Sequence, residues 1–425
     1  MTDTIFALSS GALPAAIAIV RVSGSAAEQA ARSLIGSVPE PRRPVLRTLR
    51  DPVDGAILDR ALVMWFPGPA TATGEDILEF HLHGSRAVAR AMLDALSKLD
   101  GMRAAEPGEF TRRAFENGRI DLAQAEGLSD LLAAETDAQR RAALLMAGGH
   151  LSRTIETWQE ELLILAASIE ALLDHADEDD VGSGLPCDWQ QRLVVLRDDI
   201  ERHLTMPRME RLRNGFRVVV AGPPNAGKSS LINALVGRDV AIVSSVPGTT
   251  RDVIEAPTNL GGFPVIFSDT AGLRDTSDPV ERIGVSRALA TLETADLILW
   301  LSPDAPPRLN RVILVHAKAD LGWCTDARYR AVSSLTGEGC RELLEDICGH
   351  LAQMVPAVDE SGVNARQALH LRVASNALGA CRQHEDLLIV AEELRIARGE
   401  LDRITGRAGV EDMLDALFGR FCIGK

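Results

Sequence analysis

The stretch Val218-Val219-Val220-Ala221-Gly222-Pro223-Pro224-Asn225-Ala226-Gly227-Lys228-Ser229-Ser230-Leu231-Ile232 decides how the middle of this chain folds. An apolar strand-like run leads into G-x-x-x-x-G-K-S, and an amphipathic helix start follows. That is the context a phosphate-binding loop requires. Gly222 and Gly227 let backbone amides turn inward around phosphate oxygens, and the helix N-terminus adds its positive end. Lys228 can reach the β- and γ-phosphates, and Ser229 offers a hydroxyl to magnesium. A chance glycine-rich turn would not bring strand, motif and helix together. The stretch reads as a nucleotide site.

Four later segments choose the nucleotide. Val246-Pro247-Gly248-Thr249-Thr250-Arg251-Asp252 supplies a loop threonine to complete the magnesium shell. Phe263-Pro264-Val265-Ile266-Phe267-Ser268-Asp269-Thr270-Ala271-Gly272 is a strand ending in D-x-x-G. Its aspartate suits the outer magnesium shell, and its glycine amide can sense the γ-phosphate. Val312-Ile313-Leu314-Val315-His316 is a further strand, followed by Ala317-Lys318-Ala319-Asp320, an imperfect N-K-x-D. An aspartate there accepts both N–H groups of guanine, which adenine does not offer. Ser333-Ser334-Leu335-Thr336-Gly337 fits the last guanine-side loop. Order and spacing favour a GTPase over an ATPase. Small GTPases orient the attacking water with a glutamine after D-x-x-G, whereas this chain has Leu273, which cannot. Glu281, in Asp278-Pro279-Val280-Glu281-Arg282 of the switch segment that follows, is the candidate, weighed against an ordinary solvated helix charge.

With 425 residues the chain has room for two to four domains. Hydrophobic residues make up 46% and charged ones 25%, as in ordinary globular proteins. No apolar run has the length of a membrane span, and the first residues lack the features of a signal peptide. Cys187, Cys324, Cys340, Cys348, Cys381 and Cys422 are scattered without a C-x-x-C pair, so neither zinc site nor disulfide framework is indicated. A reduced, cytoplasmic protein is expected. The net charge of −15 argues against broad nucleic-acid binding by this chain alone.

Residues 1–118 read as mixed α/β. Strands are expected over residues 15–22 and 57–66 and a helix over 26–34, with Pro39, Pro41 and Pro44 in a loop. Asp76-Ile77-Leu78-Glu79-Phe80-His81-Leu82-His83 alternates with period two, which puts Glu79, His81 and His83 on one face. The H-x-H reads as a half-exposed strand rather than a metal site. Residues 122–213 carry helical spacing, as in Leu162, Leu165, Ile169, Leu172 and Leu173, until an acidic run and Gly182-Ser183-Gly184-Leu185-Pro186 interrupt it. Strands and helices alternate over residues 216–350, and helical spacing returns over 365–418. One helical bundle interrupted by an α/β domain accounts for this order.

Assembled, these segments resemble the bacterial MnmE/TrmE family of tRNA modification GTPases, over nearly the whole chain. The resemblance rests on Asp3-Thr4-Ile5, Arg21-Val22-Ser23-Gly24, Thr73-Gly74-Glu75-Asp76 and Pro107-Gly108-Glu109-Phe110-Thr111-Arg112-Arg113-Ala114-Phe115. It rests also on Asn117-Gly118-Arg119-Ile120-Asp121-Leu122-Ala123-Gln124-Ala125-Glu126 and the terminal Phe421-Cys422-Ile423-Gly424-Lys425. It implies an α/β plus all-α protein of three parts. These are an N-terminal folate-binding and dimerising domain (1–118), a helical domain (119–215 with 351–425), and an inserted Ras-like G domain (216–350).

The resemblance adds further expectations to those already read from the motifs. Arg21, Glu79, Arg119 and Lys425 match folate-contacting positions. Potassium would be ligated by Asn225 with carbonyls of Ser244, Val246 and the Thr249 region. The nucleotide would touch Asn225, Ala226, Gly227, Lys228, Ser229, Ser230, Ser244, Ser245, Val246, Pro247, Gly248, Thr249, Thr250, Asp269, Thr270, Ala271, Gly272, Ala317, Lys318, Asp320, Ser333, Ser334 and Leu335. Glu281, Arg251 and Cys422 are the candidate catalytic residues. The implied activity is GTP hydrolysis by a homodimer working with an FAD-dependent partner, which supplies most of the tRNA contact. The implied product is a wobble uridine carrying an aminomethyl or carboxymethylaminomethyl group, its carbon drawn from a tetrahydrofolate (5-formyl- or methylene-) derivative. A GTP-dependent switch or ribosome-assembly factor is the rival class, though it would not need the N-terminal third or the Cys-Ile-Gly-Lys tail. Two departures stand out: Ala317 replaces the guanine-reading asparagine, and only residues 302–310 separate two expected strands, where a parallel crossover takes about a dozen or more. A truncated connection and a weakened domain edge are expected.

Overall fold

The computed structural model describes residues 3–174, 185–239, 258–269, 292–304, 306, 311–322, 326–356, 362–408, 411–419 and 421–424. Contacts divide the chain into two compact units, Met1–Ser129 with Asp402–Lys425, and Asp130–Leu401. The first begins with β1 (Thr4–Leu8), β2 (Ile17–Ser23), α1 (Ala27–Ile35), β3 (Val45–Arg50), β4 (Ile57–Phe66) and β5 (Ile77–His83). It continues with α2 (Arg86–Ser97), β6 (Met102–Ala104), α3 (Glu109–Glu116) and α4 (Leu122–Leu132). Its six strands lie in the order β3-β4-β5-β2-β1-β6, antiparallel except for the β1–β6 pair. Alternation does the work expected of it: Leu78, Phe80 and Leu82 of β5 are buried, while Glu79 and His81 are half-buried and His83 is exposed.

The second unit opens with α5 (Asp137–Ala147), α6 (His150–Asp174), α7 (Trp189–Thr205) and α8 (Met209–Asn214). Thr136 and Gln139 form a reciprocal capping box at the start of α5. On α6, Leu151, Ile155, Trp158, Leu162, Leu165 and Ile169 are buried at three- and four-residue spacing, the stripe that makes it a packed helix. The second sheet follows with β7 (Phe216–Ala221), α9 (Lys228–Asp239), β8 (Thr258–Leu260), β9 (Phe263–Asp269), β10 (Leu297–Trp300), β11 (Val312–Ala317) and β12 (Arg330–Val332). Then come α10 (Cys340–Ala352), α11 (Ala365–Ala380), α12 (Leu387–Thr405) and α13 (Glu411–Phe418), the last in the first unit. Helices from both sides of the second sheet's sequence pack together. The Ser375 hydroxyl on α11 donates to Glu201 on α7.

Strand order in that sheet is β12-β11-β10-β7-β9-β8, parallel except for β8. The chain moves from β7 toward β9 on one side, then crosses to β10 and onward on the other. The topology therefore reverses at β7, and the crevice beyond its carboxyl end is where such sheets bind ligands. The short connection after β10 does not cost the strand pair. Ile298, Leu299 and Trp300 still pair in parallel with Val312, Ile313 and Leu314. The outer edge on that side is β12, so the expected weakness does not fall on β11.

Candidate functional site

β7 delivers Gly222 to this crevice, with Leu301 so close that a Cβ on Gly222 would meet its carbonyl oxygen at 2.8 Å. Asn225 (φ 61°) and Gly227 (φ 95°) take left-handed conformations, one tolerated by asparagine and the other free for glycine. Lys228, the first residue of α9, is buried, and its amine donates to the carbonyls of Gly222 (3.1 Å) and Pro223 (3.0 Å). The loop thus folds over its own lysine, leaving the ammonium inside the cradle. Parallel pairing sets Asp269 beside Val220, and the Ser229 hydroxyl donates to its Oδ2 at 2.6 Å. The two magnesium-side residues expected from sequence, forty positions apart, are brought together at the carboxyl ends of β7 and β9. A hydroxyl and a carboxylate are the hard oxygen donors that magnesium takes.

Of the residues expected on the base side, Lys318 reaches the same loop. Lys318, in a left-handed conformation after β11, donates from its amine to the Asn225 carbonyl at 2.7 Å. Ser333 is fully buried; its hydroxyl donates to Asp320 Oδ1 at 2.6 Å and accepts the Thr336 amide at 3.2 Å, which fixes the carboxylate's direction. Ala317 packs its methyl on the sheet's core, and a Cβ on Gly227 would lie 3.8 Å from it. Ala226 also packs on the core, Ser230 is exposed, Ser334 is half-buried, and Leu335 is exposed. A cleft of about 970 Å³ opens over the loop. Its wall includes Trp300, Ser302 and Asp304, which sequence reading missed; their one signal was their place at the carboxyl end of a strand beside the loop. Arg251, Glu281, Leu273, Ser244, Ser245, Val246, Pro247, Gly248, Thr249, Thr250, Thr270, Ala271, Gly272 and Lys425 lie outside the described residues.

In the first unit, Arg21 and Glu79 stand directly opposite each other on β2 and β5. Arg21 donates from Nε (2.9 Å) and Nη2 (2.8 Å) to Glu79 Oε1, while Oε2 faces His81 Nε2 at 3.4 Å, longer than a well-formed hydrogen bond. Arg119 Nε donates to the Thr71 carbonyl at 3.1 Å. His83 pairs with Asp59 at 2.8 Å, and no group of three or more His, Cys, Asp or Glu converges among the described residues. Cys422 is exposed, one residue before an antiparallel bridge from Ile423 to Pro107. A buried network escaped the sequence reading although its members were quoted. Arg113 Nη1 donates to both Glu75 oxygens (3.1 and 3.0 Å), and Glu75 Oε2 accepts from the Ser23 hydroxyl at 2.7 Å. Thr73 joins through its hydroxyl to Ser23 (2.7 Å), and Asn117 donates to the Thr73 carbonyl at 2.7 Å.

Two family models match the chain: one described as the GTP-binding protein TrmE N-terminus over residues 4–119, and one described as the MnmE helical domain over residues 122–422. Proteins named tRNA modification GTPase MnmE match along the entire sequence. That of Novosphingobium aromaticivorans is 51% identical, with all of both chains covered. That of Rhizorhabdus wittichii is 52% identical over all of this chain and 97% of its own. That of Erythrobacter litoralis is 51% identical over both complete lengths. Among solved structures, the G domain of the T. maritima FeoB iron transporter is 28% identical over 32% of this chain and 98% of its own, at a TM-score of 0.24, too low to support a structural comparison. With one family model spanning more than half of its length and full-length relatives at about half identity, the chain belongs to the MnmE family of tRNA modification GTPases.

Proposed function

We propose that the chain hydrolyses GTP to drive modification of the tRNA wobble uridine at C5, as a homodimer with an FAD-dependent partner and a tetrahydrofolate one-carbon donor. The observation that carries the GTP reading is the meeting of Lys228, Ser229 and Asp269 at the carboxyl ends of β7 and β9, with Lys318 reaching the same loop and Asp320 held by Ser333. In this reading Lys228 exchanges its two loop carbonyls for phosphate oxygens. Ser229 turns its hydroxyl to magnesium, with Asp269 accepting behind it. Asp320 accepts the guanine N–H pair, and Lys318 braces the loop while covering the base. Magnesium and potassium, when bound, neutralise charge developing on the phosphates. Asn225 together with Ser244, Val246 and Thr249 would hold the potassium, Thr250 the magnesium, and Glu281 would orient the attacking water.

The folate reading is supported by the Arg21–Glu79 pair on facing strands, where Glu79 Oε2 has only His81 at 3.4 Å, and by Arg119, whose Nε is held on the Thr71 carbonyl. That oxygen can accept from a pterin amino edge, and the cations suit a carboxylate tail. Lys425 would join them, and Cys422 would serve the modification chemistry. We assign residues 1–118 to the folate-binding and dimerising part, 119–215 with 351–425 to the helical part, and 216–350 to an inserted G domain. The acidic chain, at −15, takes its tRNA contact mainly through the partner. Nucleoside analysis of tRNA from a strain lacking this chain tests the whole reading. Loss of the C5 wobble modification is expected. Unaltered wobble uridine, with GTP hydrolysis intact, would instead make the protein a GTP-dependent switch or assembly factor.

A further inference from the structure

Residues 301–311 join two parallel strands with fewer residues than such a crossover normally takes, and Pro303, Pro306 and Pro307 oppose a helix there. The end of β10 nevertheless stands against the phosphate loop. The Leu301 amide donates to Ala221 O at 2.7 Å, and Leu301 O leaves no room for a side chain at Gly222. A displacement at residues 301–302 therefore reaches Gly222 and Pro223, whose carbonyls cradle the Lys228 amine.

Hydrogen bonds of two kinds hold residues 302–304. The Asp304 amide donates to Ser302 Oγ at 3.2 Å, the Trp300 indole donates to the Asp304 carbonyl at 2.9 Å, and the Tyr329 hydroxyl donates to the Ser302 carbonyl at 3.1 Å. The first two lie within the short connection and move with it. Tyr329 comes from outside, on the approach to β12, where its amide closes a turn on Asp326 O at 3.1 Å. Ser302 is 5% exposed, so its carbonyl depends on that hydroxyl rather than on water.

We infer that Tyr329 is a positioning residue for the nucleotide site. Its hydroxyl pins Ser302 and, through it, the phosphate loop in the geometry that grips phosphate. This rests on reading the cleft as the GTP site. Tyr329→Phe removes only the oxygen. Dissociation of 2′/3′-mant-GDP from full-length parent and variant is compared at a temperature where circular dichroism shows both folded. Loss of one such bond predicts about 2- to 12-fold faster release. Guanine preference over adenine stays unchanged, because the brace acts on the phosphate side. A merely structural tyrosine would lower the melting temperature and leave release from the folded protein untouched; that outcome overturns the inference. So does a changed base preference with an unchanged release rate. A parent protein that fails to bind mant-GDP overturns the site reading beneath it, and this inference with it.

Discussion

Arg113→Ala should open the first unit locally at a cost of about 3 kcal/mol. The guanidinium is 7% exposed and reaches three acceptors: the Glu75 carboxylate, the Asp3 carbonyl at 2.7 Å, and Glu109 Oε1 at 3.1 Å. Removing one partner of a buried pair costs about 3–5 kcal/mol, because the other charge is left without compensation. Here the low end applies. Glu75 is 17% exposed and keeps the Ser23 hydroxyl, while Glu109 keeps Arg103 at 2.6 Å. A two-unit chain does not unfold as one step, so a global denaturation midpoint would blur the effect. Hydrogen exchange read on peptides from β5 and α3 isolates it, and 3 kcal/mol corresponds to exchange on the order of 100-fold faster. Acceleration under fivefold would refute the view that this pair holds the 71–76 loop. The double change Glu75→Leu with Arg113→Met should recover much of the protection, since it leaves no lone buried charge.

The same variant carries a pH signature. Burial pushes the Glu109 carboxyl up, but hydrogen bonds from Arg103, the Glu106 amide and Arg113 outweigh it and hold it below its usual range. A depressed value in the folded state means the unfolded chain takes up its proton first as pH falls. The stabilisation is complete above the ordinary carboxylate range of about 4.3 and fades as pH drops through the folded value. Arg113→Ala removes one of those donors, so its protection should decline less steeply with acid than the parent's.

Three other outcomes are expected. Ala317→Asn should tighten GTP and GDP by about 2- to 12-fold with guanine preference kept, measured as dissociation constants for GTP, GDP and ATP; equal GTP and ATP affinity in the parent would remove Asp320 from base reading. Glu281→Ala should cut turnover on the order of 100-fold while nucleotide binding holds, and hydrolysis at the parental rate would exclude it. Brief maleimide treatment followed by mass spectrometry should label exposed Cys187 and Cys422 but spare buried Cys340 and Cys381, the latter thiol pushed up to about 12 by burial; early labelling of Cys381 would contradict its packing.

What sequence made legible follows from which interactions are local. A phosphate loop declares itself because glycine spacing, lysine and helix start act within eight residues, and β5 because alternation is a property of one strand. The positions of Asp269 and Asp320 were legible one step further out, since parallel strands all end at the same edge of a sheet and motif order then gives neighbours. Contacts made sideways could not be read this way. Ser23, Thr73, Glu75 and Arg113 were each quoted as parts of motifs, yet nothing in their spacing says that α3 turns one guanidinium onto the loop before β5. The clearest case is the short link after β10. Counting residues there predicts a defect, and the count is correct, but it cannot reveal that a tyrosine from the approach to β12 reaches Ser302 across the neighbouring strand end. A short link is visible in one dimension; the contact that holds its start is visible only in three. For that reason the Tyr329 hydroxyl, rather than any residue of the phosphate motif, is where the behaviour of this chain should depart furthest from what its motifs alone would predict.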